Sequence, residues 1–114
     1  MSMIAQAKEA YHKEDYDTVF NIGRQSAEGE VQKFVALSME REGRLYDAMR
    51  KWHSISNEFV ELMPMAMFHV GVYHFVMHKY ARAHTYFQAA KSSNYHNVGR
   101  IDGWLQRTNN KLGL

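Results

Sequence analysis

The chain repeats part of its own pattern at a separation of 35 residues. The aligned pairs are Val35 with Val70, Ala36 with Gly71, Ala48 with Ala83, Trp52 with Phe87, and Ile55 with Ala90. A repeat of this length, with small, aromatic and apolar residues at helical spacing, is typical of a helix–turn–helix unit that stacks on copies of itself. The pattern therefore favours an all-α fold and a role in protein–protein interaction.

Apolar residues recur at helical spacing in seven short segments, which polar breaks separate, so we expect helices and no strands. The expected helices cover about 3–13, 15–25, 29–42, 45–56, 64–77, 80–91 and 98–112. The first six form three hairpins, about 3–26, 29–56 and 64–92, and the helix 98–112 caps them. We expect residues 1–114 to form a single domain, since this length suits one hydrophobic core.

Small residues mark the expected helix crossings. Ala48 and Ala83 are expected at the closest approach of two antiparallel helices, where a small side chain lets the backbones approach to about 8–9 Å. Ala36 and Gly71 are expected to have the same role on the partner helices, and Phe87 fills the wider space one turn later.

The two segments that align at 35 residues resemble tetratricopeptide (TPR) repeats. The matching positions are Val35, Ala36, Met39, Gly43, Leu45, Ala48, Trp52 and Ile55 in one, and Val70, Gly71, His74, His78, Tyr80, Ala83, Phe87 and Ala90 in the other. The resemblance covers residues 29–92, and residues 3–27 resemble a degenerate first repeat, with Gly23 where the family has an aromatic residue. It implies an α-α superhelix of helix hairpins, whose first helices line a concave groove for a segment of a partner protein.

By repeat position, the resemblance implies that eight residues face this groove. They are Glu30, Lys33, Leu37 and Glu40 from one repeat, and Met65, Phe68, Val72 and Phe75 from the next. Arg41 is a further candidate contact that would orient the partner, as Lys33 and Glu40 would. The helix at 64–77 is apolar on every side, which is normal for a helix that is buried all round. This helix therefore belongs to the core, lines an open groove for a partner, or forms the interface of a homodimer.

The last helix is amphipathic. Val98, Ile101, Leu105 and Leu112 form its expected buried stripe, and Trp104 lies near the border of this stripe. Arg100, Arg107 and Lys111 line the far side. The helix is either a solubilising cap, which stacked repeats need at their ends, or a surface of Arg100, Trp104 and Arg107 for an acidic peptide or a nucleic-acid backbone.

The sequence carries no signature of catalysis or of metal binding. It has no cysteine, no Gly-rich phosphate loop, no nucleophile elbow and no His-Glu-x-x-His motif. His74, His78 and His84 lie close in sequence, but no Asp or Glu occurs between Glu61 and Asp102. Repeat position instead predicts His74 between helices and His78 in a turn. We expect no enzyme activity, no metal and no cofactor.

The distribution of apolar and charged residues bears on location and partners. The most apolar stretch, 62–77, is shorter than the about 20 residues of a membrane span, and no signal-peptide segment follows Met1. We therefore expect a cytoplasmic protein.

The charge is unevenly distributed along the chain. Residues 1–61 hold 8 Lys/Arg and 11 Asp/Glu, a balance of −3, whereas residues 62–114 hold 6 Lys/Arg and 1 Asp/Glu, a balance of +5. Such asymmetry can steer an acidic partner or favour self-association.

These features favour a non-catalytic protein-binding module, acting as an adaptor, a chaperone-like carrier or an inhibitor, that holds a partner segment in the groove. One alternative is a homodimer whose working surface lies elsewhere. Another is weak binding of nucleic acid or an acidic partner through the basic C-terminal half. Salt distinguishes the latter, because phosphate contacts weaken steeply with ionic strength.

Overall fold

A computed structural model describes residues 1–93 and 98–114 of the chain. In this described part, the regular secondary structure consists of seven α-helices and one 3₁₀ turn, with no strand. The helices are α1 (Met3–His12), α2 (Tyr16–Gln25), α3 (Gly29–Arg41), α4 (Leu45–Glu58), α5 (Met63–Val76), α6 (Tyr80–Ser92) and α7 (Val98–Leu112). The predicted all-α class is confirmed, and the predicted helix ends lie within two residues of the observed ones.

Helices that follow one another in sequence pack together. The pairs α1–α2, α2–α3, α5–α6 and α6–α7 are all in contact, which is compatible with the predicted α-α superhelix and its C-terminal helix. None of the described helices is long and apolar enough to cross a membrane. The chain divides into two compact units, residues 1–51 and 52–114, which we call unit 1 and unit 2. The division falls within α4.

Side-chain caps define where the first two helices begin. The Ser2 hydroxyl accepts a hydrogen bond from the backbone N–H of Ala5 at 3.1 Å. The Asp15 carboxylate accepts from the N–H of Thr18 at 3.4 Å and from its hydroxyl at 2.6 Å. Such caps satisfy N–H groups that have no partner inside the helix. Asp15 is thus the residue directly before α2.

Unit 1 is held together by the close approach of α2 and α3. A Cβ atom at Gly23 would lie 2.5 Å from Cγ2 of Val35. Even an alanine at position 23 would therefore require a shift of Val35 or of the helix backbones. The Gln32 side chain donates from Nε2 to the carbonyl oxygens of Gly23 at 3.0 Å and Ser26 at 2.7 Å. The end of α2 is therefore fixed against α3. The buried core of unit 1 consists of Ala7, Ala10, Val19, Ile22, Val31, Phe34 and Val35.

Unit 2 is built on an equally close approach of α5 and α6. A Cβ atom at Gly71 would lie 2.7 Å from two ring carbons of Phe87, whose side chain is completely buried. The Phe87 ring therefore explains why a small residue, Gly71, is needed at this helix crossing. One buried cluster of unit 2 consists of Phe68, Ala83, Phe87, Ala90, Ile101 and Leu105.

The connections on either side of α5 follow local chemistry. A 3₁₀ turn at Val60–Leu62, which the sequence pattern did not predict, leads into α5. Pro64 is the second residue of α5, in the first turn of the helix, where a missing N–H costs nothing. His78 lies in the turn before α6 with a positive φ of 60°, and Gly43 has φ 78° in the turn before α4. Histidine is among the residues that tolerate this left-handed conformation best after glycine.

Two glycine-to-alanine substitutions should have opposite effects on stability. We expect Gly71→Ala to destabilise the protein by about 1–3 kcal/mol, because the buried Phe87 ring cannot move away without disturbing its neighbours. Gly103→Ala lies on the exposed side of α7, where no described atom is within 4 Å of the added carbon. We expect it to stabilise by about 0.5–1 kcal/mol through helix propensity. Urea unfolding midpoints check both changes, and a shift in the same direction for both would contradict the packing of Gly71 on Phe87.

Candidate partner-binding surfaces

The exposed side of unit 1 carries the first set of predicted groove residues. Lys33, Leu37 and Arg41 lie four residues apart on α3 and therefore on one side of that helix. Leu37 is partly buried against the unit 1 core, whereas Arg41 is exposed. Glu40 lies beside them and is half-buried. The structure thus brings these four predicted residues together on one helix.

An aromatic residue of α1 holds the predicted arginine in place. The Arg41 Nε donates a hydrogen bond to the Tyr11 hydroxyl at 3.1 Å, and the guanidinium carbon lies 5.7 Å from the centre of the Tyr11 ring. The Tyr11 ring in turn packs against Phe34 at 5.6 Å between ring centres. The sequence analysis did not select Tyr11, and the interhelical contact that reveals it joins residues 30 positions apart. We call Tyr11, Lys33, Leu37, Glu40 and Arg41 the α1–α3 face.

Lys33 has a comparable arrangement at the other end of this face. Its ammonium nitrogen lies 2.6 Å from a carboxylate oxygen of Glu30 and 4.8 Å from the centre of the Phe34 ring. Its side chain is 19 % exposed, which is low for a lysine. The Lys33 ammonium is therefore engaged by Glu30 and Phe34 within unit 1, and Arg41 is the more accessible cation of the α1–α3 face.

The second set of predicted groove residues is covered by α7. Phe68 is completely buried, with the Arg100 guanidinium 4.8 Å from its ring centre. Phe75 packs edge-on against Trp104 at 5.2 Å. Met65 and Val72 are partly buried against the same core, which includes Ile101 and Leu105 of α7. The prediction that Phe68 is a groove contact is therefore wrong, because its side chain is completely buried in the cluster that includes Phe87, Ile101 and Leu105.

This packing also bears on self-association. The homodimer alternative rested on an apolar α5 that needed a second surface to cover it. Ile101 and Leu105 of the same chain provide that cover, together with the half-buried Trp104. A second copy of the chain is therefore not required to bury Phe68.

The α7 helix has the predicted buried stripe only in its middle. Ile101 and Leu105 are buried as predicted, whereas Leu112, in the last turn of the helix, is 38 % exposed, so that part of the prediction is wrong. The side chain of Val98 lies outside the described residues. Thr108 is completely buried, and its hydroxyl donates to the carbonyl oxygen of Trp104 at 2.7 Å. The buried stripe of α7 therefore continues through Thr108, whose hydroxyl is satisfied by a carbonyl oxygen of the same helix. A search for apolar periodicity does not detect a buried threonine.

Trp104 and the α7 cations pack mostly against rings of unit 2. Trp104 stacks on Phe87 at 5.8 Å between ring centres. The Arg107 guanidinium lies 4.9 Å from the Trp104 ring centre, and the Lys111 ammonium lies 5.9 Å from that of Tyr80. The main contacts of Trp104 therefore attach α7 to α5 and α6, which is the packing expected of a capping helix.

Histidine and aromatic rings stack along α4, α5 and α6 in unit 2. Trp52 stacks on His69 at 4.3 Å, and His74 stacks on Tyr86 at 5.3 Å between ring centres. His53 contacts the other side of this group, with its Nε2 3.5 Å from the Tyr86 hydroxyl. His74 is buried between helices, as predicted, and its Nδ1 has no hydrogen-bond partner among the described residues.

The other histidines that were considered for a metal site have different surroundings. His78 bonds through Nδ1 to the Tyr80 hydroxyl at 2.6 Å, and it lies in the turn where repeat position predicts it. In the described part of the chain, no three His, Asp or Glu side chains lie close enough together to hold a metal ion.

No family model, curated protein or solved structure matches this chain. Any functional assignment therefore depends on the surfaces that the two units present.

Truncation of Phe68 tests whether α7 covers α5. We expect Phe68→Ala to lower the free energy of unfolding by about 3–5 kcal/mol, because it leaves a cavity in the unit 2 core. Val76→Ala is the control on the same helix, since Val76 is 49 % exposed, and we expect a change within about 0.5 kcal/mol. Urea unfolding measures both. Equal, small losses would mean that Phe68 is accessible after all.

His74 should make the stability of the protein depend on pH. Burial lowers the pKa of His74, and the positive charges of Arg82, Lys79 and His53 lower it further. The unfolded chain therefore binds a proton near the ordinary pKa of about 6.5, whereas the folded chain resists it. The contribution of the neutral, buried His74 to the free energy of unfolding is fully present above the pKa of the unfolded chain. This contribution is lost as the pH falls below that pKa.

The substitution His74→Phe separates this effect from that of the other histidines, because it keeps a ring stacked on Tyr86 without a titrating nitrogen. We expect the wild type to lose more unfolding free energy than the variant between pH 7.5 and pH 5. Chemical unfolding at both pH values measures the difference. An identical loss in the two proteins would rule out His74 as its source.

Proposed function

We propose that the protein is a non-catalytic protein-binding module that contacts its partner through the α1–α3 face of unit 1. The observation that carries this proposal is the interhelical pair of Arg41 and Tyr11, with a hydrogen bond of 3.1 Å and the guanidinium above the ring. Tyrosine and arginine are the residue types most enriched among the contacts that dominate protein interfaces. A fixed pair of this kind loses little side-chain entropy on binding.

The TPR resemblance supports the same location. By repeat position it assigns Lys33, Leu37 and Glu40 to the lining of a partner groove, and the candidate contact Arg41 lies on the same side of α3. The corresponding residues of α5 are less suited to this role, because Phe68 is completely buried and Met65, Val72 and Phe75 are partly buried against the cluster that contains it. The proposed contact surface is therefore narrower than the sequence alone suggests and is confined to unit 1.

The chemistry of the α1–α3 face indicates the kind of segment it would bind. The Arg41 Nε–H is used in the hydrogen bond to the Tyr11 hydroxyl, and the two terminal NH2 groups of the guanidinium remain able to bond a carboxylate. Leu37 provides an apolar neighbour one turn away. We expect a partner segment that presents an acidic residue next to an apolar one, as an adaptor, carrier or inhibitor would hold it.

A charge reversal at Arg41 should weaken partner binding selectively. We expect Arg41→Glu to reduce affinity at least about tenfold, equivalent to about 1.4 kcal/mol, because a carboxylate of the partner would then meet a like charge. Arg50→Glu is the matched control, since Arg50 is an exposed arginine on α4 outside this face. Tyr11→Phe removes only the hydroxyl and should give a smaller loss.

The experiment has two stages. Proteins captured from a cell extract by the tagged wild type are identified by mass spectrometry, and the binary affinity is then measured by calorimetry with purified protein. The variants are first shown to be folded by circular dichroism. Equal affinities for Arg41→Glu and Arg50→Glu, or no capture above an unrelated bait, would refute the proposed surface.

A further inference from the structure

Unit 1 contains a cavity of about 230 Å³ on a different side from the α1–α3 face, formed by α2, α3 and the start of α4. Three cationic side chains line it, and no carboxylate belongs to its lining. The apolar side chains of Phe20, Val35 and Met39, together with Gly23 and the polar Gln32, form the rest of its wall. The lining residues that matter here are Phe20, Arg24, Val35, Met39, Arg44 and Lys51.

The charge of the cavity is only partly compensated. Arg44 lies 3.2 Å from Asp47 and 3.7 Å from Glu42, so nearby carboxylates balance it. Arg24 bonds to the neutral amide oxygen of Asn21. Neither Arg24 nor Lys51 has a carboxylate partner among the described residues. Two positive charges on one cavity therefore remain available to an anion.

The apolar part of the cavity is preorganised. The Arg44 guanidinium lies 5.4 Å from the centre of the Phe20 ring, which fixes the ring at the wall. Val35 is 6 % exposed and closes the floor, where the contact with Gly23 leaves no room between α2 and α3. Met39 is partly buried, and its flexible thioether can adapt to an apolar group.

The size of the cavity limits the ligand. A volume of 230 Å³ corresponds to about eight water molecules at about 30 Å³ each, and it is smaller than the cavities that hold drug-sized ligands. It suits a single small ring or a short aliphatic chain. The cations then require that this apolar body carry a negative group.

We propose that this cavity binds a small organic carboxylate, with the apolar body against Phe20 and Met39 and the carboxylate between Arg24 and Lys51. This is a site separate from the proposed protein-binding face, and it does not depend on that face having a partner. Carboxylate is favoured because the planar guanidinium of arginine can bond both of its oxygens.

Three small probes separate the contributions of charge and apolar contact. In ¹H–¹⁵N and methyl NMR titrations, we expect phenylacetate to cause saturable shifts at Gly23, the Gln32 side chain and the Met39 methyl, with a Kd of about 0.1–1 mM. Acetate, which lacks the ring, and phenylacetamide, which lacks the charge, should each bind at least tenfold more weakly. Equal binding of either one, or no saturable shift with phenylacetate, would overturn the proposal.

A pair of charge-removing variants tests the residues themselves. We expect Arg24→Gln combined with Lys51→Gln to weaken phenylacetate binding at least fivefold, while Arg50→Gln, adjacent to Lys51 but outside the cavity lining, leaves the Kd within twofold. The NMR spectra report at the same time that the variants are folded. An unchanged Kd in the double variant would show that the cations do not hold the carboxylate.

Discussion

Unit 2 depends on the contact between the Phe87 ring and the bare backbone at Gly71. The missing side chain at Gly71 lets α5 approach α6 until the ring lies where a Cβ atom would be. The same ring packs 5.9 Å from Phe68 and 5.8 Å from Trp104, so it joins α5, α6 and α7 in one core. Because a close-packed interior transmits any change in volume, the placement of α7 depends on this single small-to-large contact.

The position of α7 decides which surfaces remain for function. The α5 helix is apolar on every side, and Ile101, Leu105 and Trp104 of α7 belong to the same hydrophobic cluster as its buried Phe68. The apolar row that made α5 attractive as a groove is thus used for stability. The two proposed sites lie in unit 1, where Arg41 is exposed on the α1–α3 face and Arg24 and Lys51 line the cavity.

The sequence predicted the helices better than it predicted the surfaces. Helical periodicity and short-range signals, such as Asp15 before α2 and the turn at His78, are local, so the helix bounds and caps could be read directly. Whether Phe68 faces a groove or a neighbouring helix depends on residues 33 and more positions away in α7, and the repeat pattern carries no information on that contact. The Tyr11–Arg41 pair and the cavity were missed for the same reason, since each joins different helices.

Both units use aromatic rings, rather than carboxylates alone, to hold their cations. Arg41 lies over Tyr11, Arg44 over Phe20, and Arg107 over Trp104. An exposed pair of this kind contributes only about 0.5–1 kcal/mol, but unlike an ion pair it leaves the charge uncancelled. A guanidinium that stacks through its face retains N–H donors at its edge. Fixing a cation in this way orders a basic surface while keeping it able to bind a carboxylate, which is the property that the α1–α3 face requires of Arg41. In the cavity the ring-held cation is Arg44, and the proposed carboxylate lies between its neighbours Arg24 and Lys51.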